Sequence, residues 1–225
     1  MALARLSLLK APQFLNETAV TFDNDFKKLL ETCSEIADQY TNRNLIRATY
    51  TDEVYTGDDT NMLFVNNWPV TTLTTVKIFD GADSFDTETA TNYTLINNRW
   101  IQFPALGKEG SASFGRWPRL ENQPGNIQLT YTGGYDDSDW DTEAITTGFN
   151  VFPGPPADLE YAIAAMALEL WQKSRKDAKT TRGIQSETVA VQTVTMTTFN
   201  QFFSKDIIAM LNPYRNLSFA SHITK

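Results

Sequence analysis

The chain has 225 residues, 27 of them acidic and 19 basic, for a net charge of −8, with one cysteine and one histidine. An acidic balance argues against a protein that grips nucleic acid by neutralising phosphates. One cysteine excludes an intrachain disulfide and any Cys-cluster metal site, and one histidine, His222 near the C-terminus, excludes a multi-His centre. At this length the fold buries roughly 70% of its unfolded surface and needs no staple.

In chain order, MALARLSLLK is too short an apolar run for a secretory signal, and Lys10 interrupts it. No window approaches the ~18 apolar residues of a membrane span. Ser7 to Leu15 reads as a short helix with Ser7 as N-cap. A second helix starts at Asp23, with Phe26, Leu29, Leu30, Cys33, Ile36, Ala37 and Tyr40 at amphipathic spacing, and ends over Thr41–Asn44. Cys33 lies on that apolar stripe and reads as a small core residue.

The period then changes to two. Ile46, Ala48 and Tyr50 alternate with polar residues. Short strands are expected at Met62–Val65, Thr75–Phe79, Tyr93–Ile96, Arg99–Phe103 and Asn126–Tyr131, punctuated by Asp80-Gly81, Asn97-Asn98, Pro104 and Pro124-Gly125. This middle third reads as a small antiparallel sheet or barrel inserted between helices.

An acidic segment follows, with Asp136, Asp137, Asp139, Asp141 and Glu143 and no basic residue. It lacks the glycine and register of an EF-hand loop, so a solvated loop is the plain reading and a calcium site the sharper one. Pro155 to Lys176 is the longest convincing helix, opened by two prolines and two acids and closed by Lys173, Arg175 and Lys176, as the helix dipole favours. Leu159, Ile163, Met166 and Leu170 form one apolar stripe, and Tyr161, Ala164, Leu168 and Trp171 a second. A helix apolar nearly all round is buried nearly all round, so the second stripe is expected to face a neighbouring subunit. The cluster Lys173, Arg175, Lys176, Lys179 and Arg182 reads either as solvated, dipole-matched cations or as a contact for DNA or an acidic partner. Glu187 to Thr197 has strand composition. A last short helix runs from a Ser204 N-cap to Asn212, stopped by Pro213. The segment holding Phe199, Phe202, Phe203, Ile207, Ile208 and Leu211 either folds back on its own core or lies in a partner's groove.

Two other functions fit fragments of this pattern. Trp68, Trp100, Trp117 and Trp140 could stack on sugar in a carbohydrate-binding β module, and acid pairs could serve a glycosidase. Neither accounts for the aromatic C-terminal segment.

The order of parts resembles the head–tail connector (adaptor, or head completion) proteins of tailed bacteriophages. The phrases that carry the resemblance are Tyr40-Thr41-Asn42-Arg43, Tyr131-Thr132-Gly133-Gly134-Tyr135, Pro156-Ala157-Asp158-Leu159 opening the helix that holds Trp171, Ile184-Gln185-Ser186-Glu187, and Pro213-Tyr214-Arg215. The chain departs from the pattern in a longer acidic segment over 134–155 and in a tail after Arg215. The resemblance implies an α+β fold: a helical bundle around one long central helix, with an inserted small antiparallel β domain and a C-terminal extension. The expected division is 1–45 for the N-terminal helices, 46–135 for the β domain, 136–186 for the acidic loop and central helix, and 187–225 for the extension. It implies a structural virion protein, not an enzyme, with no cofactor. Such a protein forms a ring, commonly a dodecamer, between the phage portal protein and the tail or next connector; a tail-side completion protein is the near alternative. DNA passes through the ring without sequence-specific binding, and no membrane is involved. Assembly would take place in the host cytoplasm. Phe199, Phe202, Phe203, Ile207, Ile208, Leu211, Tyr214 and Arg215 become portal-anchoring candidates. Tyr161, Ala164, Leu168 and Trp171 become the subunit-interface candidates.

Overall fold

The computed structural model describes residues 2–79, 85–88, 92–103, 116–117, 125–136, 154–180 and 203–216, with side chains through 175 in the penultimate helix. The chain divides into two compact units, Met1–Ile46 with Asp136–Lys225, and Arg47–Tyr135.

The first unit is helical. Helix α1 (Leu6–Lys10) begins after Arg5 and is a little over one turn long, shorter than the Ser7–Leu15 span expected. Helix α2 (Asp23–Thr41) places Asp23 and Asp25 in its first turn, where they face the positive end of the dipole. It stops at Asn42, which takes the left-handed conformation (φ 54°) that Asn tolerates. Phe26, Leu30, Cys33, Ala37 and Tyr40 line its buried face at three- and four-residue intervals. Helix α3 (Ala157–Thr180) carries Asp158 and Glu160 in its first turn and packs on α1, α2 and α4 (Lys205–Leu211). A 3₁₀ turn, Asn212–Tyr214, follows α4.

The second unit is β. Strands β1 (Ala48–Tyr55), β7 (Ile127–Gly133), β3 (Val70–Phe79) and β4 (Phe85–Thr87) form one sheet in the order β1-β7-β3-β4, and every pairing is antiparallel. Strands β2 (Met62–Phe64), β6 (Trp100–Gln102) and β5 (Thr94–Ile96) form a second antiparallel sheet in the order β2-β6-β5. Alternate residues of β7, namely Ile127, Leu129, Tyr131 and Gly133, are buried, as the period-two pattern requires. They join Val70, Val76, Ile78, Ile101, Phe103 and Trp117 in one core. The β1–β7 ladder slips between Tyr50 and Glu53, where Asp52 has φ 52° and its Oδ1 accepts from Lys77 Nζ at 2.8 Å.

The expectation of a helical bundle around one long central helix is not met. Among the described residues there are four helices, two of them with five and seven residues, against seven strands in two antiparallel sheets. The fold is a β-rich α+β. The overestimate came from reading apolar surface on all sides of α3 as the centre of a bundle. Besides α2, that surface is covered by short pieces, α1, the chain before α2, and α4, which are too brief to make further bundle helices. The Val/Thr-rich strand expected over 187–197 lies outside the described residues.

Candidate interaction surfaces

On α3 both apolar stripes are largely consumed inside the helical unit. Leu159, Ile163 and Met166 of the first stripe are fully buried, and so is Ala164 of the second. Trp171 is half-buried because two rings cover it edge-on: Phe22 at 5.7 Å and Phe26 at 5.0 Å between centroids. Tyr161 stands 41% exposed against the ring of Phe14 at 4.9 Å, and Leu168 is half-buried. Ala164 therefore has no surface left for a neighbour. Among the described residues of the helical unit, the exposed large apolar groups are Tyr161, Phe22 and Val20, the last 76% exposed, and Phe22 and Val20 lie on a stretch that helical periodicity had no means to flag. The first turn of α3 is fixed by Arg5, whose Nε and Nη2 donate to the two Glu160 carboxylate oxygens at 2.7 and 3.1 Å while its backbone N–H donates to Oε1 at 3.1 Å. Glu160 raises the Arg5 pKa through those bonds and its charge.

The C-terminal segment folds back on its own unit. Phe203, Ile207, Leu211 and Tyr214 are buried, whereas Ile208 and Arg215 are half-buried. Polar contacts hold the segment down: Tyr214 Oη donates to Asp158 Oδ1 at 2.7 Å, Tyr40 Oη to Asn212 Oδ1 at 2.6 Å, and the Asn216 N–H to the Thr41 carbonyl at 2.8 Å. Arg215 lies over the Tyr40 ring at 5.2 Å. Phe199 and Phe202 lie outside the described residues. Of the basic cluster, Lys173 sits 5.8 Å from the Phe203 ring centroid and Arg175 5.2 Å from that of Trp171. The side chains of Lys176, Lys179 and Arg182 are outside the described residues, as are Asp137, Asp139, Asp141 and Glu143.

Among the described residues, the three tryptophans of the β region are engaged in packing. Trp117 is fully buried and donates its Nε1–H to the Ile101 carbonyl at 3.1 Å. Trp100 packs on Phe64 across the β2–β6 pair at 5.0 Å, Trp68 stacks on Arg99, and Trp140 is not described. Among the described residues no group of His, Cys, Asp or Glu could hold a metal, and no helix is long and apolar enough to cross a membrane. Burial raises the pKa of the Cys33 thiol, which keeps it a neutral core group.

One polar cluster had no sequence signal at all. In the β unit the Glu53 carboxylate accepts hydrogen bonds from the hydroxyls of Tyr55 (2.8 Å) and Tyr131 and from Asn66 Nδ2 at 3.3 Å. The backbone N–H groups of Asn66 and Asn67 donate to the same two tyrosine oxygens, at 3.1 and 3.3 Å. Burial raises both tyrosine pKa values, and the adjacent carboxylate adds to the effect. Both phenols therefore stay protonated as donors, and the loop after β2 is pinned to the sheet. Gly133 completes the fit, since a Cβ there would lie 2.0 Å from the Asn67 carbonyl oxygen.

The described residues thus form a β unit around one apolar core and a helical unit with exposed aromatic groups and a C-terminal segment docked on it. The family profile described as Head completion protein matches residues 6–217, so the chain belongs to the head completion protein family. It is a structural virion protein of the head–tail junction. No curated protein matches the chain. Several solved chains are similar to it, three of which come from gene transfer agent particles. A chain in the neck of an empty gene transfer agent (GTA) particle, computed with C6 symmetry, has TM-score 0.48 and 15% identity over 94% of this chain and 89% of that one. A chain in the virion of a native GTA particle has TM-score 0.44 and 17% identity over 94% and 87%. A chain in the neck of a native GTA particle, computed with C12 symmetry, has TM-score 0.46 and 15% identity over 89% and 93%.

Proposed function

We propose that the protein forms a closed ring, commonly dodecameric in proteins of this kind, that joins the portal to the tail and continues the DNA channel. The observation that carries the reading is the family match across residues 6–217. The exposed Val20, Phe22 and Tyr161 supply apolar surface of the kind a subunit contact buries, with Leu168 at its margin. Closed symmetry repeats one such contact around the ring, so a modest interface acts many times. The net charge of −8 suits a channel through which DNA slides, since each phosphate neutralised adds affinity and therefore drag.

At the portal end the docked 203–216 segment presents Ile208 and Arg215, and Phe203, Ile207, Leu211 and Tyr214 hold it in place; Phe199 and Phe202 precede it in the chain. Lys173 and Arg175 are the cations available to DNA or to an acidic partner. Assembly takes place in the host cytoplasm before the particle is complete.

Native mass spectrometry of the purified protein, with and without its cognate portal protein, tests the reading. A ring, alone or on the portal, is the expected result, and its mass gives the subunit number. A monomer indifferent to the portal refutes the reading. Tyr161→Asp is expected to lower ring yield with the fold intact; unchanged yield would remove Tyr161 from the interface.

A further inference from the structure

The outward face of α3 is its own complement when reversed. Asp158, Tyr161, Ala165, Leu168, Gln172 and Arg175 follow one another at three- and four-residue steps, so they share one side of the helix. Leu159, Ile163 and Met166 lie on the opposite side and are fully buried. Asp158, Tyr161, Gln172 and Arg175 are exposed, and Ala165 and Leu168 are half-buried. The chain before α2 flanks this face without closing over it. Phe14 lies 4.9 Å from the Tyr161 ring and Phe22 5.7 Å from the Trp171 ring, and Tyr161 is still 41% exposed.

Turn the helix end for end about a point between Met166 and Ala167. Asp158 then falls level with Arg175, Tyr161 with Gln172, and Ala165 with Leu168. Each pairing is a complement: an acid with a base, a ring with the apolar stem of a glutamine, a small side chain with a large one. The helix dipole accounts for an acid at the start and a base near the end. It does not account for the matched apolar groups between them. Both charges also have bonding capacity left. Asp158 Oδ1 accepts from Tyr214 Oη at 2.7 Å, and Oδ2 makes no bond among the described residues. Arg175 stacks on the Trp171 ring at 5.2 Å, which leaves the edge of its guanidinium for a carboxylate. Glu169, half-buried on one flank, falls level with the buried Ala164 and meets no charge there.

We propose that α3 of one copy packs antiparallel on α3 of a second copy, giving a two-fold dimer of the free chain. In a two-fold contact residue i of one copy meets residue j of the other, and j meets i. That is the relation the face shows, and a different partner would not require it. Packed helices lie about 8–10 Å apart between axes, a gap that Leu168 fills against Ala165 and that the long Arg175 side chain spans toward Asp158. From Asp158 to Arg175 the face is about 26 Å long at about 1.5 Å per residue. One such helix pair buries less than the ~1,200 Å² of a standard interface, so the dimer dissociates readily. The inference goes beyond the ring reading and does not depend on it. A closed ring repeats a head-to-tail contact, so a two-fold pair that occupies Tyr161 and Leu168 withholds both copies from the ring until the portal draws them away.

Sedimentation velocity of the free chain over a concentration series, without portal, tests it. The wild type is expected to show a monomer–dimer equilibrium. Arg175→Glu and Asp158→Lys are each expected to weaken the dimer at least tenfold. Mixing the two variants is expected to restore it, because each copy then offers at both ends the charge that the other lacks. Asp158→Lys also removes the bond to Tyr214, so a cysteine pair at exposed positions gives a second readout. In an antiparallel pair Tyr161→Cys and Gln172→Cys fall level, within reach of a disulfide, whereas two copies of Gln172→Cys are about 16 Å apart along the axis. Air oxidation is expected to link the mixed preparation and to leave Gln172→Cys alone unlinked. A free chain that stays monomeric at every concentration overturns the proposal. So does a Gln172→Cys preparation that links to itself, which would show a parallel pair. Charge variants that weaken the dimer and do not recover on mixing overturn it too, because the charges then do not meet across copies. A chain that is monomeric when free and forms a ring on the portal overturns the dimer and leaves the ring reading standing. A dimer that gives no ring on the portal does the reverse.

Discussion

Trp171 decides between two roles for the second stripe of α3. It is half-buried within its own unit, edge-on to Phe22 and Phe26. Each such aromatic pair contributes about 0.5–1.5 kcal/mol beyond the area it buries. Replacing a fully buried aromatic with alanine costs about 3–5 kcal/mol, and partial exposure puts Trp171→Ala at the lower end, about 3 kcal/mol. With a urea slope near 2 kcal/mol/M, the unfolding midpoint falls by about 1.5 M. At about 2–4 °C per kcal/mol, melting falls by about 6–12 °C. Far-UV circular dichroism at 222 nm follows the helices and is the appropriate probe, on protein kept monomeric by dilution. Trp171→Phe keeps a ring in contact with Phe22 and Phe26 and is expected to cost less than about 1.5 kcal/mol. A Trp171→Ala monomer with an unchanged midpoint would refute the reasoning and move Trp171 from the core to a subunit contact.

Three further predictions probe other parts of the chain. Gly133→Ala places a methyl group 2.0 Å from a backbone oxygen that cannot swing aside, so the β unit is expected to lose about 3 kcal/mol, read by near-UV circular dichroism; a wild-type melt would show that the Asn67 loop yields. Asp38 has its pKa raised from 3.8 to about 6, chiefly by burial, with Glu35 adding to the rise and Arg43 and the Leu45 N–H opposing it. The folded state therefore holds the proton longer than the unfolded one, and stability is lost as pH rises from about 4 to about 6. Asp38→Asn keeps an oxygen for the Leu45 N–H and removes that slope, so its urea midpoint should exceed the wild type's increasingly from pH 4 to pH 7; a constant gap would contradict the burial argument. Tyr214→Phe removes the bond to the exposed Asp158 and is expected to cost about 1 kcal/mol, seen as faster hydrogen exchange in α4, and unaltered exchange would show that apolar contacts alone dock the segment.

What the sequence made legible was periodic. The stripe of α2, the opening of α3 after two prolines, and the alternation of β7 each come from spacing that a single segment carries within itself. Ends were less legible: β1 runs on to Tyr55 because Asp52 makes a bulge where the alternation breaks, and β3 starts at Val70, before the expected Thr75. The short strand Phe85–Thr87 has too few residues to show a period. The family resemblance rested on ordered phrases, and the family stands over residues 6–217 where the bundle inference does not. A phrase such as Pro156-Ala157-Asp158-Leu159 fixes a local structure, whereas a bundle depends on what covers α3.

The candidate surfaces show the same division more sharply. Nothing in the spacing of Val20, Phe22 or Phe14 announces a partner for α3, because residues before a helix have no period to read. Glu53, Tyr55, Asn66, Asn67 and Tyr131 come from two strands and a loop, and their pairing exists only once β1, β2 and β7 have folded. Arg99 carries the point furthest. In the sequence it is one cation among nineteen basic residues. Only the fold removes its Nε from water and sets its guanidinium against the Phe64 and Trp68 rings, with no carboxylate bonded to it among the described residues. A half-buried cation kept unpaired loses hydration without recovering it from an ion pair.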